Sequence, residues 1–180
     1  PKLEVTVPEN SVIYNEHEYL KWERELLGLY LSKHPLEEFV VILGEKSVPI
    51  IQVTAEYDGS YASVGGNIVD IRQITTKNGQ QMAFVKLEAL GGDEIELVVF
   101  PGAFKDNAAL WQKDKIIVAT GRVNGKDKVG NKLNEPKILV DSAYEITINE
   151  AREYEPNGAS IKIKKKKNSR KNPKNGNTKL

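Results

Sequence analysis

"TTKNGQQMAFVKLEALGGDEIELVVF", residues 75–100, contains two alternating runs of apolar and polar side chains, each preceded by a polar turn. The turns are "KNG" and "GGD", sequences that favour tight connections between paired strands. Successive side chains of a strand point to opposite faces, so each run can bury one face and expose the other. We therefore predict a β-hairpin built from two half-buried strands.

The alternation also predicts which side chains of the hairpin point inward. An inward Lys86 or Glu88 would place an unpaired charge in an apolar interior, so the other face must fill the core. The predicted inward residues are Ala83, Val85, Leu87, Ile95, Leu97 and Val99. The predicted outward residues are Met82, Phe84, Lys86, Glu88, Glu96, Val98 and Phe100. The hairpin therefore carries two aromatic rings and a methionine on its outer face.

Strand-like alternation continues on both sides of this hairpin. The five segments with this pattern are residues 64–76, 81–90, 93–100, 114–123 and 132–146. Between the third and fourth lies "PGAFKDNAALWQK", where a proline at the start and spaced apolar residues predict a short helix. This order of elements is that of the OB-fold, a small and partly open five-stranded barrel. We predict a mainly β protein with that fold.

The flanking regions have different patterns. Leu20, Leu27 and Leu31 lie on one stripe of a predicted helix that begins near residue 16 and ends before Pro35. A second short helix is predicted over residues 36–43, with an irregular passage from Gly44. The predicted organisation is a linker (1–14), a helical segment and connector (15–62), the OB-fold (63–148), an exit segment (149–163) and a disordered Lys-rich tail (164–180).

Composition limits the classes of function. The 180 residues include no cysteine and only two histidines, which argues against a disulfide framework and a zinc site. The lack of cysteine also favours a reducing, cytoplasmic setting. No apolar run approaches the roughly 20 residues that cross a bilayer, so a protein without membrane contact is expected. The net charge of +1 hides an asymmetry, because the residues from Arg152 onward include ten basic and two acidic ones. Such a tail attracts polyanions in a salt-dependent way.

The outer face of the hairpin is the candidate binding surface. OB-folds bind oligonucleotides on the face of strands 2 and 3 and with the loops that join strands 1 to 2 and 4 to 5. A ring such as Phe84 can stack on any base, which is worth about 1 to 3 kcal/mol. The alternative is that Phe84 and Phe100 pack under the N-terminal helix. The candidate nucleic-acid-binding residues are Arg72, Lys77, Met82, Phe84, Lys86, Phe100, Arg122, Lys126, Lys128 and Lys132.

Three stretches of the chain resemble one protein family, the alpha subunit of bacterial DNA polymerase III. "LKWERELLGLYLSKHPLEEF" resembles the segment that precedes the family's OB-fold, and "INEARE" resembles the stretch that leaves it. "TKNGQQMAFVKLEALGGDEIELVVFPGAF" is similar to the signature of that OB-fold. The matching positions are Lys77, Gly79, Met82, Ala83, Phe84, Leu87, Glu88, Glu96, Phe100 and Pro101. The hairpin more distantly resembles anticodon-binding OB-folds of class II aminoacyl-tRNA synthetases, where the aromatic residue matching Phe84 stacks on a base.

The resemblance implies a fragment of a replicative DNA polymerase whose OB-fold engages the single-stranded template. Its start at Pro1, without an initiator Met, also favours a fragment. The family's catalytic carboxylates, which hold Mg²⁺ for nucleotidyl transfer, lie upstream, so we expect neither catalytic residues nor a cofactor in this chain. Sliding clamp and clamp loader are partners implied for the parent protein. The alternatives are a protein-interaction or spacer module within the replisome, or an RNA- or tRNA-binding OB-fold.

Overall fold

The computed structural model describes Leu26 and residues 36–164, and its centre is a closed β-barrel. The five strands are β1 (Tyr61–Thr75), β2 (Gln81–Glu88), β3 (Glu94–Val99), β4 (Ile116–Lys126) and β5 (Lys132–Glu145). They are hydrogen-bonded in the order β1-β2-β3-β5-β4, and β3 pairs with β5 in parallel. The predicted OB-fold is therefore confirmed. The predicted linker, the helix over residues 16–34 apart from Leu26, and most of the tail lie outside the described residues.

The strands form because alternate residues supply the barrel interior. Ala83, Val85 and Leu87 of β2 have no exposed surface, and Leu97 and Val99 of β3 are equally buried. Their neighbours along each strand point outward, as the sequence predicts. Both hairpin turns use a glycine with positive φ, Gly79 and Gly92, a conformation that costs glycine no steric strain.

Within residues 36–164, one helix precedes the barrel strands, one lies between β3 and β4, and one follows β5. The described part of the chain includes α1 (Val40–Lys46), α2 (Pro101–Asp106) and α3 (Ile148–Glu153). Single 3₁₀ turns lie at Glu37–Phe39, Ile50–Gln52, Ala55–Tyr57 and Ala108–Leu110.

Two of these helices differ from the sequence-based expectation. The irregular passage predicted from Gly44 was wrong, because α1 continues through that residue to Lys46. The helix predicted over residues 101–113 begins at Pro101 as expected but is shorter, and Trp111 after it is 3% exposed. Trp111 packs with the barrel core, so burial of this ring ends the helical spacing early.

A second apolar cluster fixes α1 and α3 against the outside of the barrel. Leu36, Phe39 and Ile42 pack with Ile116 and Val118, which lie on β4. Gly65 allows this approach, since a Cβ atom there would lie 2.7 Å from Leu43 Cδ2. The outside of β4 is therefore occupied by helices along its first half.

The exit segment after α3 returns along the barrel. Glu45 on α1 accepts hydrogen bonds from the Tyr154 hydroxyl (2.6 Å) and from the Gly158 N–H (2.6 Å). These bonds, the Tyr154 bond foremost, lower the pKa of the Glu45 carboxyl. The segment then pairs Lys164 with Tyr61 in an antiparallel bridge. The last described residue thus lies beside the start of β1.

Candidate nucleic-acid interface

One continuous row of side chains crosses the outer face of the barrel. The ladder pairs are Arg72 with Phe84, Phe84 with Val98, Val98 with Leu139, Leu139 with Arg122, and Arg122 with Tyr61. Directly paired residues on adjacent strands lie on the same face of a sheet. We call these six residues the outer row.

The first end of the outer row is a stacked pair. The Arg72 guanidinium carbon lies 4.7 Å from the centre of the Phe84 ring, a cation–π distance. Phe84 is half-buried and Arg72 is exposed, and Phe84 does not belong to the barrel core. The sequence-based prediction that this ring points outward is therefore confirmed.

The middle of the outer row is apolar. Val98 points outward as predicted, yet it is only 7% exposed, because Phe84 and Leu139 flank it on the neighbouring strands. Met82 lies on the same outer face of β2 and pairs with Ile74. Phe100, directly before α2, is 46% exposed.

The second end of the outer row repeats the first. The Arg122 guanidinium carbon lies 5.9 Å from the centre of the Tyr61 ring, and Tyr61 is 41% exposed. Tyr61 and Leu139 were missed by sequence reasoning. Alternation along "YASV" places Tyr61 outward, but the partner strand that gives it a role is fixed by the barrel register rather than by local sequence.

Lys86, a predicted nucleic-acid-binding residue, forms an ion pair with a neighbouring glutamate. Lys86 donates to Glu94 across the hairpin at 2.8 Å, and on the next strand pair Lys137 donates to Glu96 at 2.6 Å. Glu94 raises the pKa of the Lys86 ammonium, because the bond favours the charged form. The structure thus places Lys86 beside the outer row but within an ion pair.

The predicted loop lysines divide into two groups. Lys126 lies 3.6 Å from Asp58, and Lys132 lies 3.7 Å from Glu56, so both face acids of the connector. Lys77 in the β1–β2 turn and Lys128 in the β4–β5 loop are exposed. Exposed ion pairs at such distances are weak and screened by salt, so the paired lysines can exchange partners.

Two kinds of feature are absent from the part of the chain that the structure describes. Over residues 36–164, no three His, Asp or Glu side chains come together as a metal-binding group. Within the same range, no helix is both long and apolar enough to cross a membrane.

The barrel region of the chain matches the model of a known protein family. Residues 62–154 match the model of the OB-fold nucleic acid binding domain. The chain belongs to this family. The OB-fold domain thus extends from the start of β1 to the end of α3.

The relatives confirm the resemblance to the alpha subunit of DNA polymerase III. That subunit of Treponema pallidum is 32% identical over 135 residues, which are 74% of this chain and 11% of the relative. The subunit of Aquifex aeolicus is 36% identical over 102 residues, which are 57% of this chain and 9% of the relative. The chain spans about a tenth of the length of these relatives.

Solved structures include similar barrels at low sequence identity. The asparaginyl-tRNA synthetase of Pyrococcus horikoshii is 14% identical, with a TM-score of 0.44. The alignment covers 57% of this chain and 23% of the synthetase.

Proposed function

We propose that this OB-fold domain binds single-stranded nucleic acid on the outer row, with Phe84 as the main base-stacking side chain. The observation that carries the proposal is the Arg72–Phe84 pair on the exposed face of β1 and β2. An aromatic face beside a cation matches both parts of an unpaired nucleotide, its flat base and its phosphate. The family to which the domain belongs supports the same ligand class.

Stacking of a base on Phe84 is expected to be stronger than the contact that Arg72 makes with this ring. A cation–π pair at an exposed site contributes about 0.5 to 1 kcal/mol, whereas stacking on an aromatic side chain contributes about 1 to 3 kcal/mol per base. A base can therefore take the ring face from Arg72. The released guanidinium can then bind a phosphate of the same strand.

The remaining predicted residues have supporting roles in this proposal. Met82 and Phe100 extend the apolar surface around the stacked base, and the cations guide the backbone. Those cations are Arg72, Lys77, Lys86, Arg122, Lys126, Lys128 and Lys132. Since Lys86, Lys126 and Lys132 each face a carboxylate, phosphate must compete with these acids. We therefore expect modest affinity and strong weakening with salt.

Phe84→Ala tests the proposal directly. We expect it to weaken binding of labelled single-stranded DNA at least about fivefold in an anisotropy titration, because stacking of one base is lost. Tyr144→Ala is the matched control, because Tyr144 is an exposed aromatic on β5 that lies outside the outer row. Thermal melting of both variants reports folding.

Two results would contradict the proposed role. An unchanged dissociation constant for Phe84→Ala would remove the ring from the site. The second result is undetectable DNA binding together with equal hydrogen-exchange protection of residues 82–86 with and without DNA. This result would favour a protein-docking or spacer module instead.

The wider context of the domain is also a proposal. Its relatives are DNA polymerase III alpha subunits, so we propose that the strand is the DNA template and that the parent protein is a DNA-directed DNA polymerase. Mg²⁺, the sliding clamp and the clamp loader would then act on parts of the parent outside this chain. Titration with DNA and RNA of equal sequence decides the strand, and tighter binding of RNA would contradict the template role.

A further inference from the structure

The outer row has a cation–aromatic pair at each end, and the proposed function uses one of them. From this repetition we infer that Tyr61 is a second base-stacking position, which holds a later nucleotide of the same strand that stacks on Phe84. This inference rests on the proposed function. It adds a ligand-binding role for Tyr61 at the start of β1, beside Arg122 of β4, which the proposed function already counts among the cations that guide the backbone.

The barrel geometry keeps both ends of the outer row on one side. The row begins on β1 at Arg72 and returns to β1 at Tyr61, eleven residues earlier. Five strand steps cover about 24 Å, while an offset of eleven residues corresponds to about 36 Å along the strand. These two lengths are perpendicular to each other on the unrolled barrel, and together they give a circumference of about 43 Å. Because the strands are steeply tilted, the outer row extends about 20 Å along the barrel axis and only about 13 Å around this circumference.

The spacing of the two rings suits a short single strand. From Phe84 to Tyr61 the row makes four strand steps, or about 19 Å. At a rise of about 3.4 Å per stacked nucleotide, this distance holds about six nucleotides, and a more extended strand needs fewer. A length of about six nucleotides lies within the range of about 4 to 16 nucleotides that one OB-fold occupies. Half-buried Leu139 lies between the rings and offers an apolar contact to the intervening bases, whereas Val98 beside it is almost fully covered.

The backbone holds Tyr61 in place from both sides. On one side Tyr61 pairs with Arg122, and on the other its N–H donates to the Lys164 carbonyl at 3.0 Å. The Lys164 N–H returns a bond to the Tyr61 carbonyl at 2.9 Å. Because the backbone is already fixed in this way, stacking of a base on Tyr61 requires no ordering of the backbone at this position.

The charges around Tyr61 favour a polyanion. Arg122 lies over the ring, the exposed Lys164 is its ladder neighbour, and seven further Lys and Arg residues follow in 165–180. A single strand that reaches Tyr61 therefore meets the start of the most basic part of the chain. An uncharged protein surface would gain nothing from these cations.

The test compares ring-deleting and ring-preserving variants on strands of different length. Anisotropy titrations use oligo(dT) of about 12 nucleotides and progressively shorter strands. We expect Tyr61→Ala to weaken binding of the long strand about fivefold and Tyr61→Phe to retain it, because the stacking surface is the ring. The effect of Tyr61→Ala should decline as the strand shortens, whereas that of Phe84→Ala persists. Because the two rings do not touch, the double variant should combine both losses.

A fluorescent variant tests the same position without deleting the ring, so that a folding defect of Tyr61→Ala does not decide the outcome. Tyr61→Trp retains an aromatic ring, and its fluorescence should be quenched by the long strand more strongly than by the shortest one. The inference would be overturned if wild type and Tyr61→Ala bound every strand with equal affinity, or if no strand quenched Tyr61→Trp. If Phe84→Ala still bound more weakly than wild type, the proposed function would stand. Undetectable binding by the wild type would overturn both.

Discussion

At the scale of single residues, Arg72 has two possible contributions to the proposed site, its charge and its flat guanidinium. It stacks on Phe84 with its carbon 4.7 Å from the ring centre, yet remains exposed to solvent. A lysine would keep the charge but lose the plane, and a glutamine would lose the charge. The two contributions can therefore be separated by substitution.

We expect Arg72→Gln and Arg72→Lys to weaken single-strand binding a few-fold each, but with different salt dependence. Loss of one phosphate contact lowers the slope of log affinity against log salt by about 0.7 for a single strand. Arg72→Gln should show this decrease, and Arg72→Lys should keep the wild-type slope. A glutamine variant with the wild-type slope would mean that Arg72 touches no phosphate. Titrations at several salt concentrations measure both quantities.

At the scale of elements, the β2–β3 hairpin carries a carboxylate that competes with the ligand. Glu94 holds Lys86 at 2.8 Å and raises its pKa, so the lysine is charged but engaged at neutral pH. Glu94→Gln should release Lys86 and strengthen DNA binding about two- to threefold at low salt, since an exposed ion pair is weak and screened by salt. Glu155→Gln makes the same change of charge outside the hairpin and serves as the control. Equal gains in both variants would indicate a general charge effect.

The helix α3 gives a prediction about pH. The Thr147 hydroxyl accepts from the Glu150 N–H at 3.3 Å, and Glu150 accepts from the Thr147 N–H at 2.7 Å, which is a capping box. The hydrogen bond from the Thr147 N–H lowers the pKa of the Glu150 carboxyl. The ionised carboxylate therefore stabilises the folded protein above the ordinary pKa of glutamate, and this stabilisation is lost as pH falls through the lowered pKa.

Urea unfolding at several pH values checks this sign. Thr147→Ala should reduce the free energy of unfolding by about 1 kcal/mol at neutral pH. Glu150→Gln should be less stable than wild type at neutral pH, and the difference should shrink in acid. A difference that grows in acid would contradict the depressed pKa. Because Ile146 and Ala151 pack in the second cluster, loss of the cap should affect the cooperative transition.

The elements were predictable where their cause is local. Alternation is a property of neighbouring residues, so the inward set of Ala83, Val85 and Leu87 follows from the sequence alone. Both glycine turns were predictable for the same reason, because positive φ favours glycine. The length of α2 was not, since Trp111 is drawn into the barrel core by contacts with distant strands.

At the scale of the whole molecule, the outer row depends on pairings that are far apart in sequence. The parallel pairing of Val98 with Leu139 and the antiparallel pairing of Arg122 with Tyr61 arise only when the barrel closes. Local alternation places Phe84 outward but cannot say that Tyr61 lies on the same row. The ion pairs of Lys126 with Asp58 and Lys132 with Glu56 were missed for the same reason, because the connector packs against the β4–β5 loop.

The distribution of charge over the whole chain leads to a last prediction. The seven basic residues of 165–180 follow Lys164, which is bridged to Tyr61 beside Arg122, so their attachment point lies at one end of the outer row. Truncation after Lys164 should lower the salt slope of DNA binding and leave the melting temperature unchanged. Truncation after Gly158 should also lower the melting temperature by several degrees, because Ile161 and Ile163 pack against the barrel core.

A variant in which the seven basic residues of 165–180 become glutamine keeps the length of the chain and removes its charge. If this variant and the truncation after Lys164 show the same reduced slope, the tail acts through its charge. An unchanged slope in both would mean that residues 165–180 make no phosphate contacts, and the salt dependence would then arise from the barrel cations alone. Since the bridge to Tyr61 survives in both variants, neither result can be attributed to a displaced ring at that end of the row.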